Sequence, residues 1–138
     1  MRVLLIGIGR LKTGPERDLT TRYRDRAVAA ARGVGLSGLD IRELDESRAR
    51  RPEDRKAAEA QAIRAALPAG ARLVALDERG QAVSSAAFAA DLGRARDSGC
   101  PLYALVIGGP DGLDPGLRSE AGLTIAFGAA TWPHQLVR

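Results

Sequence analysis

Three short stretches of this sequence could bring backbone against a ligand: Leu76-Asp77-Glu78-Arg79-Gly80, Gly108-Gly109-Pro110-Asp111-Gly112 and Phe127-Gly128-Ala129-Ala130-Thr131-Trp132. Each follows an apolar run. The clearest is the second, where Leu102 to Ile107 are continuously apolar and the run stops at two glycines and a proline. Glycine permits positive φ and lets a backbone approach a ligand with no Cβ in the way, so something is expected to sit on the end of this strand. Side-chain chemistry is sparser. With one histidine and one cysteine, no Ser-His-Asp or Cys-His arrangement is legible and no metal cluster can be built. Asp77 and Glu78 could work as acid and base or could cap a turn, and His134, which follows Pro133, reads as a turn residue. Gly7-Ile8-Gly9 begins like a dinucleotide fingerprint, but Lys12 stands where the third glycine belongs and Asp45 lies farther along than the usual acid. A Walker-type phosphate loop is absent.

The elements that must position these loops repeat as strand, turn and helix. Val3 to Ile6 form a short apolar run, and Pro15 then opens a helical pattern in which Leu19, Tyr23, Ala27 and Ala30 or Ala31 share a face, closed by Gly33 and Gly35. Asp40 to Leu44 read as a strand with Ile41 as the only strongly apolar inner residue, which suits a sheet edge. Pro52 starts a helix over 52–67, and Leu73 to Leu76 form a third strand ending at Asp77 to Gly80. Ser84 or Ser85 caps a helix with Phe88, Leu92 and Ala95 inward. After the fourth strand, Asp114-Pro115 starts another helix, and Leu123 to Phe127 are a fifth strand. This alternation predicts an α/β fold with a mostly parallel sheet and flanking helices. In such a sheet the loops at the carboxyl ends of the strands lie side by side, and ligands bind in the crevice between them.

The bulk properties narrow the setting. At 138 residues and 45% hydrophobic, the chain is expected to be one domain over 1–138 with a sizeable core. The single Cys100 suits a reducing compartment. No signal peptide is apparent, and no run approaches the ~20 apolar residues of a membrane span, so a soluble, cytoplasmic protein is expected. The net charge is +4, and residues 1–56 carry 14 basic against 9 acidic side chains while the remainder carries 7 against 8. Nineteen of the 21 basic residues are arginine, whose planar fork suits phosphate. That balance fits a nucleic-acid partner. Stretches of alternating sign such as ERDLTTRYRDR equally suit a solvated helix face.

LDERG, LVIGGPDG and TWPHQLVR, in that order and at these separations, resemble the bacterial family of SPOUT methyltransferases that modify large-subunit ribosomal RNA at N3 of a pseudouridine. The similarity runs from VLLIGIGRLK to Arg138. It implies an α/β fold with a C-terminal trefoil knot, S-adenosylmethionine as methyl donor and a homodimer acting on the ribosome, without metal or membrane. The donor pocket would fall on Leu76, Gly108, Phe127, Gly128, Ala129, Ala130, Thr131 and Trp132. Arg10, Lys12 and Arg138 are the candidates for holding RNA phosphate or the target base; Arg10 and Arg138 are the catalytic candidates, and no general base is evident. Asp111 stands where many relatives have Glu, and little consequence is expected. The resemblance further implies a helix and tail beyond Arg138 that complete the knot, cover the donor pocket and contribute to the dimer. Residues after about Trp132 are therefore expected to fray or to pack on a neighbouring molecule. Two other classes fit the glycine loops and the basic N-terminal part: a nucleotide-binding α/β module, and a non-catalytic ribosome-binding remnant.

Overall fold

The computed structural model describes residues 1–138. Strands and helices alternate throughout: β1 (Arg2–Ile8), α1 (Pro15–Ala31), β2 (Gly38–Leu44), α2 (Pro52–Ala66), β3 (Arg72–Ala82), α3 (Ser85–Asp97), β4 (Leu102–Ile107), α4 (Pro115–Glu120), β5 (Leu123–Ala126) and α5 (His134–Val137). The strands make one sheet in the order β2-β1-β4-β3-β5, and every neighbouring pair is parallel. β2 is an edge strand, as its single strongly apolar inner residue predicts. No helix is long and apolar enough to cross a membrane.

Local chemistry explains where the helices begin. Pro15, Pro52 and Pro115 occupy first-turn positions, where the missing N–H costs nothing and φ is already helical. The Ser84 hydroxyl accepts the Ala87 N–H at 3.2 Å, and the Asp114 carboxylate accepts the Leu117 N–H at 3.0 Å. Period-two alternation then divides the core between the two faces of the sheet. Leu4, Ile6 and Ile8 of β1 join Ala60 and Ile63 of α2 and Leu117 of α4 on one face. Val3, Val74, Tyr103 and Ile125 meet Ala95 of α3 on the other.

The second face holds a buried polar network. Asp91 of α3 is 8% exposed, accepts Arg72 Nε at 3.0 Å and Nη2 at 2.7 Å, and accepts the Tyr103 hydroxyl at 2.8 Å. Burial works against the Asp91 carboxylate, but the hydrogen bonds from Arg72 and Tyr103 outweigh it and hold its pKa below the ordinary value. Burial, followed by the Asp91 hydrogen bond, pushes the Tyr103 phenol strongly up. The network ties the start of β3 to α3 and to the start of β4.

Two expectations need correction. The third strand does not stop at Leu76: β3 runs to Ala82, and Leu76 and Gln81 both pair with Ile125 of β5. Asp77 to Gly80 are thus an excursion within one strand. Its return brings Gly80 so close to β5 that a Cβ there would lie 2.7 Å from the backbone of Thr124 and Ile125. The fifth strand ends at Ala126, one residue short of the expected Phe127; on α1, the face shared by Leu19 and Tyr23 is open. Leu19 and Tyr23 are 52% and 56% exposed, and Ala31 is the helix's one buried residue.

The Asp91 network makes a stability prediction. Asp91→Ala strands two donors and should cost about 3 kcal/mol, while Tyr103→Phe should cost about 1 kcal/mol. Because the native pKa of Asp91 is depressed, its contribution is present above the ordinary aspartate value of about 3.9 and is lost as pH falls through the native one. Urea unfolding of wild type and Asp91→Asn should differ fully at neutral pH, and the gap should close only in strong acid.

Candidate active site

All five strands end on one side, so the β3 excursion, the turn after β4 and the segment after β5 converge there. They enclose a cavity of about 440 Å³. Leu76, Gly108, Phe127, Ala130, Thr131 and Trp132 line it, together with Ile107, Ile125 and His134. Gly128 and Ala129 belong to the same segment but do not line the cavity.

The segment after β5 is unusual in its backbone. None of the five amide N–H groups from Gly128 to Trp132 donates to another part of the protein. Two side-chain contacts hold this exposed stretch in place: the Thr131 hydroxyl donates to Glu78 at 2.6 Å, and the Trp132 indole donates to the Phe127 carbonyl at 3.0 Å. Ala130, Thr131 and Trp132 bring three of these free donors to the cavity, whose apolar lining includes Leu76 and Ile125.

The turn after β4 is built differently from the expectation. Gly112 N–H donates to Gly109 O at 2.9 Å, and Gly112 has a φ of +81°. A Cβ on Gly108 would stand 2.6 Å from the Gly112 carbonyl carbon and 2.8 Å from the Leu113 nitrogen. The space that Gly108 leaves open is therefore filled by the loop's own backbone, and the glycine is required before any ligand arrives. Behind the turn, Asp111 takes a bidentate ion pair from Arg55 at 2.7 and 3.0 Å. Arg55 also donates to the carbonyls of Ala49 and Arg50, which ties the turn to the loop before α2. The hydrogen bond from Arg55 holds the Asp111 carboxyl below its ordinary value. Asp111 thus has a structural role that the sequence did not signal.

Of the paired acids, Asp77 caps its excursion by accepting Arg79 N–H at 2.9 Å and lies 3.5 Å from Arg118. Glu78 accepts from Thr131. His134 is more than a turn residue, because α5 brings it into the cavity wall. Burial, then the charge of Arg138, keeps its pKa below the ordinary histidine value, with Glu46 opposing.

The cationic candidates differ in their surroundings. Arg10 is exposed and paired with Asp45 at 2.8 Å, and Lys12 is exposed. The Arg138 side chain is 1% exposed. It donates to the carbonyls of Ile8 and Gly9, each at 2.7 Å, and to Glu43 at 2.8 Å. The segment after Trp132 forms one helical turn, α5, and Arg138 fastens it to the ends of β1 and β2 of the same chain. No group of three or more His, Cys, Asp or Glu side chains is placed to hold a metal ion.

The family model described as "Predicted SPOUT methyltransferase" matches residues 1–138. This chain belongs to the SPOUT methyltransferase family. It is 57% identical over its whole length to the protein named "Ribosomal RNA large subunit methyltransferase H" in Bradyrhizobium sp. (strain ORS 278), and covers 85% of that relative. It is 57% and 53% identical to proteins of the same name in Rhodopseudomonas palustris (strain HaA2) and Beijerinckia indica, covering all of this chain and 86% of each. As a member of that family the chain is a methyltransferase and requires a methyl donor. The five-stranded parallel sheet with flanking helices accords with the family assignment.

The turn geometry separates loop folding from cavity shape. Gly108→Ala should destabilise the protein by about 2 kcal/mol, since a Cβ there meets backbone that cannot swing aside. Phe127→Ala, at a half-exposed side chain on the cavity rim, should change stability by less than about 0.5 kcal/mol. Equilibrium urea unfolding of both variants checks this, and an unchanged midpoint for Gly108→Ala would contradict it.

Proposed function

We propose that this SPOUT methyltransferase uses S-adenosylmethionine to methylate N3 of a pseudouridine in large-subunit ribosomal RNA on the ribosome, working as a homodimer. The observation that carries the reading is the run of free amides from Gly128 to Trp132, three of whose residues, Ala130, Thr131 and Trp132, line a cavity formed by three strand ends. Adenosine offers ring nitrogens and ribose oxygens to such donors, and its flat purine suits apolar walls. Leu76, Gly108 and the segment Phe127, Gly128, Ala129, Ala130, Thr131 and Trp132 would hold it. The cavity volume lies in the ~300–1,000 Å³ range of small-molecule sites. When bound, the sulfonium supplies an electrophilic methyl carbon. The chain's task is then to hold the target nitrogen in line with that carbon, which is proximity and orientation.

The RNA and the partner draw support from the other end of the chain. Arg22, Arg24 and Arg26 are exposed on α1 near Lys12, at the basic end of the sequence. Contacts of this kind bind phosphate and weaken with salt. Leu19 and Tyr23 of α1 lie beside Phe127, Trp132 and Leu136 in an exposed apolar groove next to the cavity. A second copy covering that groove would place its basic helix against the same RNA.

Trp132 is the only tryptophan in the chain and lines the cavity, so it reports on the site directly. Titration with S-adenosylhomocysteine should change its fluorescence saturably and raise the melting temperature, and ATP or GTP should do neither. A response to nucleotides with none to S-adenosylhomocysteine would favour a nucleotide-binding module instead.

A further inference from the structure

The titratable side chains of the cavity wall are Asp77, Glu78, Arg79, Asp111 and His134. Asp77 is 4% exposed, accepts the Arg79 N–H and faces the Arg118 guanidinium, while Glu78 is tied to Thr131 through one of its two oxygens. Asp111 is held by both arms of the Arg55 guanidinium, and Arg79 is itself a cation with no lone pair to offer. His134 differs on every point. Its ring makes no hydrogen bond to the protein, neither ring nitrogen is fully buried, and the residue lines the cavity together with the segment after β5 and the turn after β4. Alkylation of a ring N–H that stays protonated at neutral pH needs a base at the moment of transfer.

We propose that His134 is a catalytic residue that takes the proton from N3 of the target base. This rests on the methyl-transfer reading given above. The N3–H bond breaks as a ring nitrogen of His134 accepts the proton, and its electron pair stays on N3. That pair forms the new N3–C bond to the donor's methyl carbon as the C–S bond breaks, with those electrons remaining on sulfur as a neutral thioether. The imidazolium then releases its proton to water at the cavity mouth.

The surroundings suit this role. Burial and the nearby Arg138 favour the neutral ring, while Glu46, from the loop after β2, opposes them. Asp77, Glu78, Arg79 and Asp111 face the same cavity and make the contacts described. With its pKa below the ordinary value of about 6.5, the ring is neutral and able to accept at pH 7. Position is set from behind: Arg138, four residues on, is locked onto the carbonyls of Ile8 and Gly9, which fixes the single turn that carries His134.

The test compares wild type, His134→Gln and His134→Gly on ribosomes under saturating donor, across a pH series, with S-adenosylhomocysteine affinity measured by calorimetry. Both variants should bind S-adenosylhomocysteine within about twofold of wild type and lose roughly 10²- to 10⁴-fold in kcat, the usual span for general acid–base catalysis. The acid limb of the wild-type profile should vanish in His134→Gln, whose residual rate should climb with pH as N3 ionises unaided. Added imidazole should partly restore His134→Gly. The lone histidine also gives a single imidazole Hε1 resonance by nuclear magnetic resonance, and its titration midpoint should match the acid limb. Unchanged kcat and pH profile in His134→Gln would overturn the proposal and leave the methyl-transfer reading standing. Loss of S-adenosylhomocysteine binding in both variants would overturn it too, making His134 a wall of the pocket. A wild-type protein that binds no S-adenosylhomocysteine and modifies no ribosome would defeat the underlying reading itself.

Discussion

A buried guanidinium joins the turn that carries His134 to the end of β1, and the shape of the site depends on it. Parallel strands leave carbonyls without partners where the sheet runs out, and at the end of β1 those of Ile8 and Gly9 are taken by Arg138. Glu43 at the end of β2 balances the charge while also accepting the Leu11 N–H at 2.8 Å and facing Arg17 at 3.4 Å. The approach is possible because residue 7 is glycine: a Cβ there would lie 2.7 Å from Arg138 Nε. Burial lowers the arginine's pKa, and its Nε has no acceptor. Such a contact is costly to desolvate and weak evidence for stability, but it admits one geometry, and positioning is what the site uses.

From that anchor the cavity follows by short links. Arg138 fixes α5, α5 carries His134, and the chain just before it carries the free amides of Gly128 to Trp132. Thr131 ties this segment to Glu78 on the β3 excursion, and the excursion returns at Gly80, where β3 and β5 come into backbone contact. The opposite wall is set by Arg55 and Asp111. Side chains with charge are spent on holding the walls, and backbone groups are left to face the ligand. That division fits a reaction whose main demand is placement, with one side chain reserved for a proton.

Much of this framework was legible in the sequence. Proline and capping residues marked the helix starts at Pro15, Pro52, Ser84 and Asp114, and the weak inner pattern of β2 marked an edge. The three loops that meet at the cavity could be named because a parallel sheet puts all its carboxyl ends together. Other features had no local signal. Periodicity cannot show that β4 inserts between β1 and β3, because strand order is a long-range property. The Asp77 to Gly80 excursion looked like a strand end, since turn residues read alike whether a chain leaves a sheet or returns to it. The spacing of Leu19 and Tyr23 marked one face of α1 without showing what covers it, since periodicity reports amphipathicity alone.

The glycines carry the sharper lesson. A strand ending in Gly108-Gly109-Pro110-Asp111-Gly112 suggests that a ligand needs the space, and the cavity does open there. Yet at Gly108 the missing Cβ makes room for Gly112 of the same turn, and at Gly80 it makes room for β5. The small residues serve the ligand indirectly, by letting backbone pack on backbone so that three loops can crowd one edge. The unpaired groups that result lie in the neighbouring segment, among residues 128 to 132, where sequence shows only small side chains and a tryptophan. Chemistry at this edge is thus built from two kinds of absence: side chains omitted so that the walls close, and hydrogen bonds left unmade so that a ligand can complete them.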